Sequence, residues 1–562
     1  MIAKVAKLIF LIGLAASQID TLSLPQNSPN VTARSENLAV LKGQIANGPR
    51  LHVIANDPTK VFQFSNGPVV NAFVGAMIQT EVADINSRST KDTQNFIAGI
   101  ILQGSASIST LDDLSNLFNT FSSKIRFPPS LVNWQLDSSF ASDQLTWCGV
   151  GLQLSTNNEF ALDDNLVRSI TGLSMKTLLS RKKLFRVDYS NIKKYSKINV
   201  GQFTPGAIGL FYESSTEDFL PLAIKVIDNA IVYTPKDQAD HWMFAKLAFG
   251  AAESNFLPTE HFITNHIAIE PIRVELMRHV SVEHPVSALL NHHFTNIFGV
   301  SAIGQKVLIQ NGTTFDTIFG IGAKGGAQFM HDKSLNYNFQ KQKIVQNFAD
   351  LGVSRNPRNY KYRDDLLSIH SAVGKFVKTH IDNYYKSNKE IVNDAEIQAW
   401  AAATADPNQG GVKGFDAAFK TKDALIDTVA NLITIVTAQH NILNGASTWD
   451  GQIFPAKPNA LYGAVPKSKD EVINARSFLA PSKQLIAGEI ALHSAFLVAV
   501  PESHLLGKSY ASVDLGKFSA PAIASFQKDL NNISKFIQAR ESKSTRPFTV
   551  LDPIQLPFNV WI

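Results

Sequence analysis

The feature that most constrains the fold is a series of long segments with helical periodicity. From about residue 200 onward, apolar residues recur at spacings of three and four with few interruptions by glycine or proline. Five stretches show this pattern, around 238–252, 257–280, 364–386, 421–444 and 519–540. Proline and glycine clusters predict loops beside them, at 405–414, 445–466 and 541–557. The sequence therefore predicts that helices dominate this part of the chain.

The N-terminus predicts secretion. Lys4 and Lys7 precede an apolar run at 8–16, and small residues follow where a signal peptidase can cut, so residues 1–17 are interpreted as a signal peptide. The run is about half of the roughly 20 residues that a spanning helix needs, so we expect no membrane anchor. Residues 18–50 are rich in Ser, Asn, Pro and Gly, which predicts a poorly ordered extension.

Composition narrows the class of protein further. Cys148 is the only cysteine, so no internal disulfide can form, and we expect it to be a buried small hydrophobe. Sequons at Asn30, Asn311 and Asn532 fit a secreted glycoprotein. The net charge of +5 favours weak contact with anionic membrane surfaces or substrates. No basic stripe with interleaved aromatic residues is present, which argues against nucleic-acid binding.

Two histidines, His261 and His266, lie five residues apart in one apolar helical segment, E-H-F-I-T-N-H-I-A-I-E. In a regular α-helix, five residues rotate by about 500°, which leaves the two side chains about 140° out of register. A π-type turn with hydrogen bonds from i to i+5 would bring both imidazoles to one side. The spacing therefore indicates either a π-bulge with a shared site or two histidines with separate roles.

Two further segments carry candidate ligands. His440 and Asn444 are four residues apart at the end of a strongly apolar helical stretch, so they share a face, as a structural hydrogen-bonded pair would also do. The chain ends in P-F-N-V-W-I, and a buried terminal carboxylate must be paired or bound to a metal. Three imidazoles, one amide oxygen and one carboxylate together suit iron(II) or manganese(II) rather than thiolate-seeking ions.

The order of these motifs resembles the lipoxygenase family, especially its secreted fungal members. W-M-F-A-K at 242–246, His261, His266 and Glu270 are similar to the family signature around the first two metal ligands. Further similar runs follow in the family's order: R-H-V-S-V-E-H-P at 278–285, L-L-N-H-H-F at 289–294, Y-K-Y-R-D-D at 360–365, Y-Y at 384–385, D-A-E-I-Q-A-W at 394–400 and F-K-T-K-D-A-L-I-D at 419–427. The similarity runs from about residue 200 to the last residue.

The resemblance implies that the metal ligands are His261, His266, His440, Asn444 and the main-chain carboxylate of Ile562. It also implies a mainly α fold, in which residues 51–562 form one large lipoxygenase-type catalytic domain with minor β structure. Animal and plant members usually carry a β-sandwich lipid-binding module before this domain. Only some 240 residues separate the predicted signal from His261, so we expect that module to be absent.

The resemblance implies a dioxygenase that converts polyunsaturated C18 fatty acids, such as linoleic or α-linolenic acid, and O2 into hydroperoxides. A hydroxide on the oxidised metal would take a hydrogen atom from the bis-allylic carbon, so no side chain is implied as catalytic. One non-haem redox metal per chain is expected. Secretion, Gly304 and W-M-F-A-K resemble the fungal manganese subgroup, whereas a terminal isoleucine is more typical of iron members. Manganese is favoured, iron is the alternative, and we expect a monomer.

Three further residues bear on substrate positioning and activity. Gly304 falls where the family carries Ala or Gly that influences oxygenation, and glycine tends towards R hydroperoxides, although a helix glycine also serves close packing. Leu308 resembles the leucine that clamps the substrate over the metal. Phe256 stands where the family often has a histidine, which removes a polar contact that can orient ligands. Phe256 motivates one alternative, a non-catalytic lipid-binding protein that kept the fold. A hydroperoxide isomerase or lyase that works in the same pocket is a second alternative.

Other motifs are interpreted structurally. G-I-G-A-K-G at 320–325 matches the spacing of a dinucleotide-binding loop, but no βαβ unit surrounds it, so a flexible loop is predicted. Four histidines near the ligand segment are predicted to be packing or surface groups: His279, His284, His292 and His293.

Overall fold

The fold is described by a computed structural model. It describes residues 22–45, 72–88, 110–113, 127–196, 201–446, 451, 454–495, 500–516 and 519–561. The predicted signal peptide at 1–17 and the predicted ligand Ile562 lie outside the described residues. Helices dominate the rest, as the periodicity predicted.

The α-helices are numbered here in chain order. The first ten are α1 (Val31–Gln44), α2 (Ala72–Arg88), α3 (Asp137–Asp143), α4 (Asp164–Thr171), α5 (Met175–Ser180), α6 (Ala239–His261), α7 (Ile269–His279), α8 (Pro285–His293), α9 (Ile297–Gly304) and α10 (Thr314–Thr317). The next ten are α11 (Gly322–Asn336), α12 (Phe339–Gln342), α13 (Ile344–Asp350), α14 (Lys361–Tyr384), α15 (Asn388–Val392), α16 (Ala395–Ala405), α17 (Lys422–Thr434), α18 (His440–Ala446), α19 (Lys483–Ala495) and α20 (Ser519–Glu541). Three π-helical segments adjoin them, Phe262–Ile267, Gln305–Ile309 and Ile435–Gln439.

The strands are fewer and shorter. They are β1 (Gln153–Leu154), β2 (Leu184–Asp188), β3 (Gln202–Phe203), β4 (Ala207–Glu213), β5 (Phe219–Val226), β6 (Val232–Tyr233) and β7 (Leu461–Tyr462). An antiparallel sheet has the order β1-β2-β4-β5-β6, and β3 pairs with β7. No β-sandwich module is found among the described residues, which agrees with the prediction.

The five periodic stretches all fall on helices. The stretch at 238–280 becomes α6, a π-helical segment and α7, whereas 364–386, 421–444 and 519–540 fall on α14, on α17 and α18, and on α20. α14 turns buried residues such as Ile369, Val373 and Phe376 towards α17 and α20, because its apolar residues lie on one side. The mainly helical fold class is therefore confirmed.

α6 is the central helix of the core. Most of its residues are buried, which fits a helix that is apolar on all sides and surrounded by protein. It packs against β4, β5, α11 and α18. This central position fixes where its last residue, His261, lies in the fold.

One predicted extension contains ordered structure. Within residues 18–50, Val31–Gln44 form α1, so the prediction of a poorly ordered extension is wrong for these residues. The physical reason is a buried ion pair: the guanidinium of Arg34 bonds both carboxylate oxygens of Glu396, at 2.5 and 2.8 Å. The composition of residues 18–50 gives no information about Glu396, which lies 362 positions after Arg34.

The glycine run at 320–325 is also not a loop throughout. Gly322 begins α11, so Gly325 is helical rather than flexible. A Cβ atom on Gly325 would lie 2.1 Å from the carbonyl oxygen of Tyr195, and one on Gly320 would lie 2.2 Å from the Oγ1 of Thr204. These glycines therefore permit close packing of α11, and the absence of a dinucleotide-binding βαβ unit around them agrees with the prediction.

Surface features bear on the secretion prediction without testing it. Asn30 is the exposed N-cap of α1, Asn311 lies in an exposed turn after Gln305–Ile309, and Asn532 is exposed on α20. Glycosylation of these three sequons stays a prediction. In the part of the chain that the structure describes, we find no helix with the length and apolar character needed to cross a bilayer.

Candidate metal centre

The first two histidines lie where a core helix changes its winding. α6 ends at His261, and Phe262–Ile267 have π-helical hydrogen bonding. The amide of Ala268 donates to the carbonyl of Ile263, five residues back, at 3.0 Å. This wider turn brings His261 and His266 to the same side, with their Nε2 atoms 3.1 Å apart. Of the two alternatives that the spacing left open, the structure shows the π-bulge.

The third histidine comes from a second core helix with the same irregularity. α17 passes into the π-helical segment Ile435–Gln439, and His440 follows directly. The Nε2 of His440 lies 3.1 Å from the Nε2 of His266. The candidate ligand atoms of His261, His266 and His440 all lie within 4.8 Å of one another. Residues 174 positions apart in sequence therefore present nitrogen atoms to one shared centre.

A buried asparagine joins the two π-helical segments. The Nδ2 of Asn265 donates to the carbonyl of Ile435 at 2.8 Å, and its Oδ1 accepts from the Oγ1 of Thr264 at 2.7 Å. Leaving a buried amide without partners costs about 1–3 kcal/mol, so this bond opposes any separation of the two segments. The sequence-based prediction missed Asn265, although a polar residue between two histidines in an apolar segment was a usable signal.

Burial keeps the three imidazoles neutral. Their residues are at most 3% exposed. Burial lowers the pKa of His266 to about 3. Burial, and then the neighbouring His266, hold the pKa of His261 and that of His440 well below their usual range. Neutral imidazoles have a lone pair to offer, so the electrostatics favour a ligand role over a charged one.

The donor set fits a first-row divalent ion. Two nitrogen donors that each lie about 2.1 Å from one ion at a right angle are about 3 Å apart, close to the spacing found here. Neutral lone pairs that face one another gain nothing without a cation or a proton between them. Imidazole suits iron and other first-row divalent ions, and no thiolate belongs to the cluster among the described residues.

Asn444 places the C-terminal tail beside the histidines. It lies one turn after His440 on α18 and is 9% exposed. Its Nδ2 donates to the carbonyl oxygen of Trp561 at 3.3 Å. Ile562 follows Trp561 directly but lies outside the described residues, so its carboxylate stays a predicted ligand. The ligand roles of Asn444 and the three histidines are also predictions, and the geometry described here supports them.

The two residues predicted to position substrate lie on α9 and in the π-helical segment that follows it. Gly304 is the buried last residue of α9, and α9 packs against the Phe262–Ile267 segment. Leu308 lies in the following π-helical segment, Gln305–Ile309, half-buried against the main core. The structure thus places Gly304 on a helix that contacts the segment of the first two histidines, and Leu308 in the segment that follows this helix. The effect of both residues on substrate stays a prediction.

Phe256 forms an aromatic contact in place of a polar one. Its ring centroid lies 5.0 Å from that of Tyr189 and 5.5 Å from that of Phe329. The Nζ of Lys333 lies 4.8 Å from the same ring, at cation–π distance. Packing has therefore replaced the polar contact that a histidine would supply on α6.

A buried charged cluster on α6 was also missed. The carboxylate of Glu253 is paired with the Nζ of Lys457 at 2.6 Å and accepts from the hydroxyl of Tyr189 at 3.0 Å. The Sγ of Cys148 contacts the same Lys457 amine. Cys148 is buried as predicted, but it packs against a charge rather than only against apolar atoms. Charges this far apart in sequence leave no local pattern.

The four remaining histidines near the ligand segment are structural. His284 caps α8 and bonds Asp394 at 3.0 Å. His279 lies 3.4 Å from the carboxylate of Glu275. His292 and His293 contact Phe558 of the C-terminal tail. None belongs to the metal cluster among the described residues, in line with the packing role predicted for them.

Comparison with known proteins gives a consistent result. The family model for lipoxygenases matches residues 153–545. The chain is 25% identical to a manganese lipoxygenase of Nakataea oryzae, an alignment covering 95% of this chain and 91% of the relative. It is 26% identical to the human polyunsaturated fatty acid lipoxygenase ALOX15B, over 79% of this chain and 68% of that protein.

Solved structures agree on the fold. The manganese lipoxygenase of Gaeumannomyces graminis superimposes with a TM-score of 0.85 at 23% identity, covering 96% of this chain and 100% of the other. At this identity the likeness concerns the fold alone. Because the family model covers more than two thirds of the sequence, the conclusion does not depend on the superposition. The chain belongs to the lipoxygenase family.

Proposed function

We propose that this chain converts a polyunsaturated C18 fatty acid, such as linoleic or α-linolenic acid, and O2 into a fatty-acid hydroperoxide. The proposed cofactor is one non-haem manganese ion per chain, with iron as the alternative. The observation that carries the proposal is the buried group of three neutral imidazoles. The Nε2 of His266 lies 3.1 Å from the Nε2 of His261 and 3.1 Å from the Nε2 of His440. Membership of the lipoxygenase family supports the reaction class.

His261, His266 and His440 would hold the metal, with Asn444 and the Ile562 carboxylate completing the set. When bound, the metal would supply the one-electron chemistry for removing a hydrogen atom from the bis-allylic carbon of the fatty acid. The protein's part is to position these groups and to exclude water. Phe262 is buried beside both of the first two histidines, with its ring centroid 5.4 Å from that of His261 and 5.9 Å from that of His266, so an apolar ring borders them.

The choice of manganese rests on relatives and not on the donor atoms. Nitrogen and oxygen donors accept manganese and iron alike. Several similar fungal proteins are named manganese lipoxygenases. Metal analysis of the purified full chain distinguishes the two ions directly.

The proposed enzyme is a secreted monomer. The sequence of residues 1–17, with two lysines before an apolar run, supports export, and the three exposed sequons are compatible with glycosylation. A net charge of +5 supports weak contact with anionic lipid surfaces. Expression of the full-length sequence and detection of a product cleaved near residue 17 in the culture medium would test this.

Oxygen uptake and product analysis test the proposed reaction. The manganese-loaded full chain is mixed with linoleic or α-linolenic acid, and O2 consumption is recorded together with absorbance of the conjugated diene. We expect both signals to rise together. A fully metallated protein that gives neither signal would be a lipid-binding protein, and one that consumes hydroperoxide without O2 would be an isomerase or lyase. Either result would overturn the proposal.

Gly304 gives the same experiment a second readout. The family tendency predicts R hydroperoxides for glycine at this position. Gly304→Ala is expected to shift the product mixture towards the S hydroperoxide or to another carbon, as measured by chiral chromatography. Metal content should not change, because Gly304 is not among the predicted ligands. An unchanged product mixture would mean that Gly304 serves packing alone.

A further inference from the structure

The C-terminal tail is held in place by contacts with other segments of the chain, the first of which are backbone hydrogen bonds. Residues 556–561 run alongside 504–506: the amide of Leu506 donates to the carbonyl of Leu556 at 2.7 Å, and the amide of Phe558 donates to the carbonyl of His504 at 2.9 Å. Backbone pairing thus fixes the direction of the tail. It does not by itself explain why the tail lies against α8.

Histidine side chains from α8 hold the tail at Phe558. The ring of His292 stacks on Phe558 with centroids 4.0 Å apart and planes at 3°, and His504 lies on Phe558 at 5.5 Å. The Nδ1 of His293 lies 2.6 Å from the carbonyl oxygen of Phe558. We call His292, His293, His504 and Tyr510 the tail clamp.

The contacts of His293 fix its tautomer. A carbonyl oxygen can only accept, so the Nδ1 of His293 must carry the proton and donate to Phe558. Its Nε2, 2.7 Å from the hydroxyl of Tyr510, must then accept from that hydroxyl. Burial lowers the pKa of His293 to about 4, which agrees with a neutral ring. His293 is therefore a fully buried donor directed at the tail backbone.

The tail continues from the clamp to the metal centre. Asn559 donates through its Nδ2 to the carbonyl of Thr295 at 3.1 Å, and Trp561 meets Asn444 at 3.3 Å. The last residue lies four residues after Phe558, and four residues of extended chain span at most about 14 Å, so the position of Phe558 limits where that residue can lie. A terminal ligand on an unheld tail would lose conformational entropy each time it bound the metal.

From this geometry we infer that His293 is a positioning residue that delivers the terminal carboxylate to the metal. It acts through Phe558: its two hydrogen bonds go to Phe558 and Tyr510, and it is not one of the three clustered histidines. The inference rests on the proposed function, since it requires that the chain binds a metal and that the Ile562 carboxylate is a ligand. Its consequence is that metal retention depends on a side chain outside the cluster.

Two substitutions at position 293 separate hydrogen bonding from simple packing. His293→Leu removes the donor, whereas His293→Asn keeps an amide donor near the place of Nδ1. We expect manganese affinity of the full chain, measured by competition with a chelator, to fall by about 10–100-fold in the leucine variant. The asparagine variant should recover most of that loss.

His380 supplies a matched control. It is also fully buried, and its Nε2 donates to the backbone carbonyl of Pro285 at 3.0 Å. Burial lowers its pKa to about 4, as it does for His293. His380→Leu should lower thermal stability as His293→Leu does, while leaving manganese affinity unchanged. Equal loss of metal in both variants would overturn the inference, because the effect would then be general destabilisation.

A double substitution tests whether His293 acts through the tail. One glycine added after Ile562 displaces the terminal carboxylate. If His293 works by delivering that carboxylate, His293→Leu should cause little further loss of affinity in the extended chain. Fully additive losses would overturn the inference.

If His293→Leu fails to fold, Tyr510→Phe replaces it, with an expected loss of manganese affinity of a few-fold from removal of one hydroxyl.

The failures of the two proposals are distinguishable. If the unsubstituted chain binds no metal, the proposed function fails and this inference fails with it. If the unsubstituted chain binds manganese and consumes O2 while folded His293→Leu binds it equally well, only the inference is overturned.

Discussion

The histidine segments and the C-terminal tail bring ligands to the same place in opposite ways. His261 and His266 are fixed by the winding of a core helix, since a π-helical segment rotates both imidazoles to one side. The tail has no helix to orient it, and side chains of α8 and the backbone of 504–506 hold it instead. Local backbone geometry governs the first region, and long-range contacts govern the second.

The difference predicts unequal responses to substitution. A ligand built into a buried helix is lost only when its own side chain changes or when the helices separate. A ligand on a chain end is sensitive to chain length and to residues that touch the tail. The predictions below start from this contrast and run from the largest expected effect to the smallest.

Removing a helix-borne ligand should have the largest effect. His440→Gln replaces an imidazole whose Nε2 lies 3.1 Å from that of His266. We expect manganese content to fall to background and O2 uptake to be lost, a larger effect than the roughly 10–100-fold typical of outer-sphere contacts. Elemental analysis and an oxygen electrode measure both. Near-normal metal content in this variant would mean that His440 is no ligand.

Changing the length of the tail should have the next largest effect. One glycine added after Ile562 moves the carboxylate by about 3.3–3.6 Å along an extended chain. Metal affinity should fall by about 100-fold, while the three histidines retain some binding. Ile562→Leu is the control, because it keeps the chain length and the main-chain carboxylate. If the two variants bind manganese equally well, the tail does not supply a ligand.

Loosening the contact between the two π-helical segments should have a moderate effect. Asn265→Leu removes the hydrogen bond to Ile435, so the free energy of unfolding should fall by about 1–3 kcal/mol. Manganese affinity should fall by up to about 10-fold.

Asn255 provides the control for that substitution. It is buried on α6, which leads into the segment of Asn265, and it donates to the carbonyls of Ala251 and Asn459, away from the second π-helical segment. Asn255→Leu should lower the free energy of unfolding to a similar extent without changing metal affinity. A loss of metal in both variants would show that the Asn265 contact has no special role.

Acid should affect the two regions differently once metal is bound. In the metal-free chain, His266 takes up a proton near pH 3 when folded and near 6.5 when unfolded. The unfolded state therefore binds more protons in that range, and stability falls as pH falls from 6.5. Bound metal should extend this dependence below pH 3, because a ligated imidazole stays unprotonated in the folded state, whereas the contribution of His293 should end near its pKa of about 4. Unfolding curves of both forms measure it.

Glu270 contributes the opposite sign. Burial raises its pKa to about 8 from a usual 4.5, so the folded state holds an extra proton between these values. Stability should therefore fall as pH rises from 4.5 to 8, and Glu270→Gln should remove that slope. An unchanged slope would mean that the Glu270 carboxyl is ionised in the folded protein.

The sequence predicted the regions that local patterns determine. Apolar periodicity located the helices that carry the histidines, and the five-residue spacing of His261 and His266 pointed to a π-turn as one of two options. The choice between them depended on contacts with α17 and its π-helical extension, 170 residues away. Such a contact leaves no trace in the local pattern.

What the sequence missed depends on pairing across long distances. Glu253 with Lys457, and His293 with Phe558, join residues more than 200 positions apart. α1 was predicted to be poorly ordered because its composition is polar, yet the Arg34 pair with Glu396 anchors it. The composition of a segment does not reveal which distant residues it contacts in the folded protein.

Anomalous diffraction at the manganese absorption edge tests the central claim most directly. Crystals of the full chain, grown after loading with manganese, should show one anomalous peak per molecule between the Nε2 atoms of His261, His266 and His440. The Ile562 carboxylate should lie beside that peak. A fully loaded protein with no peak there, or with its peak elsewhere, would contradict the account.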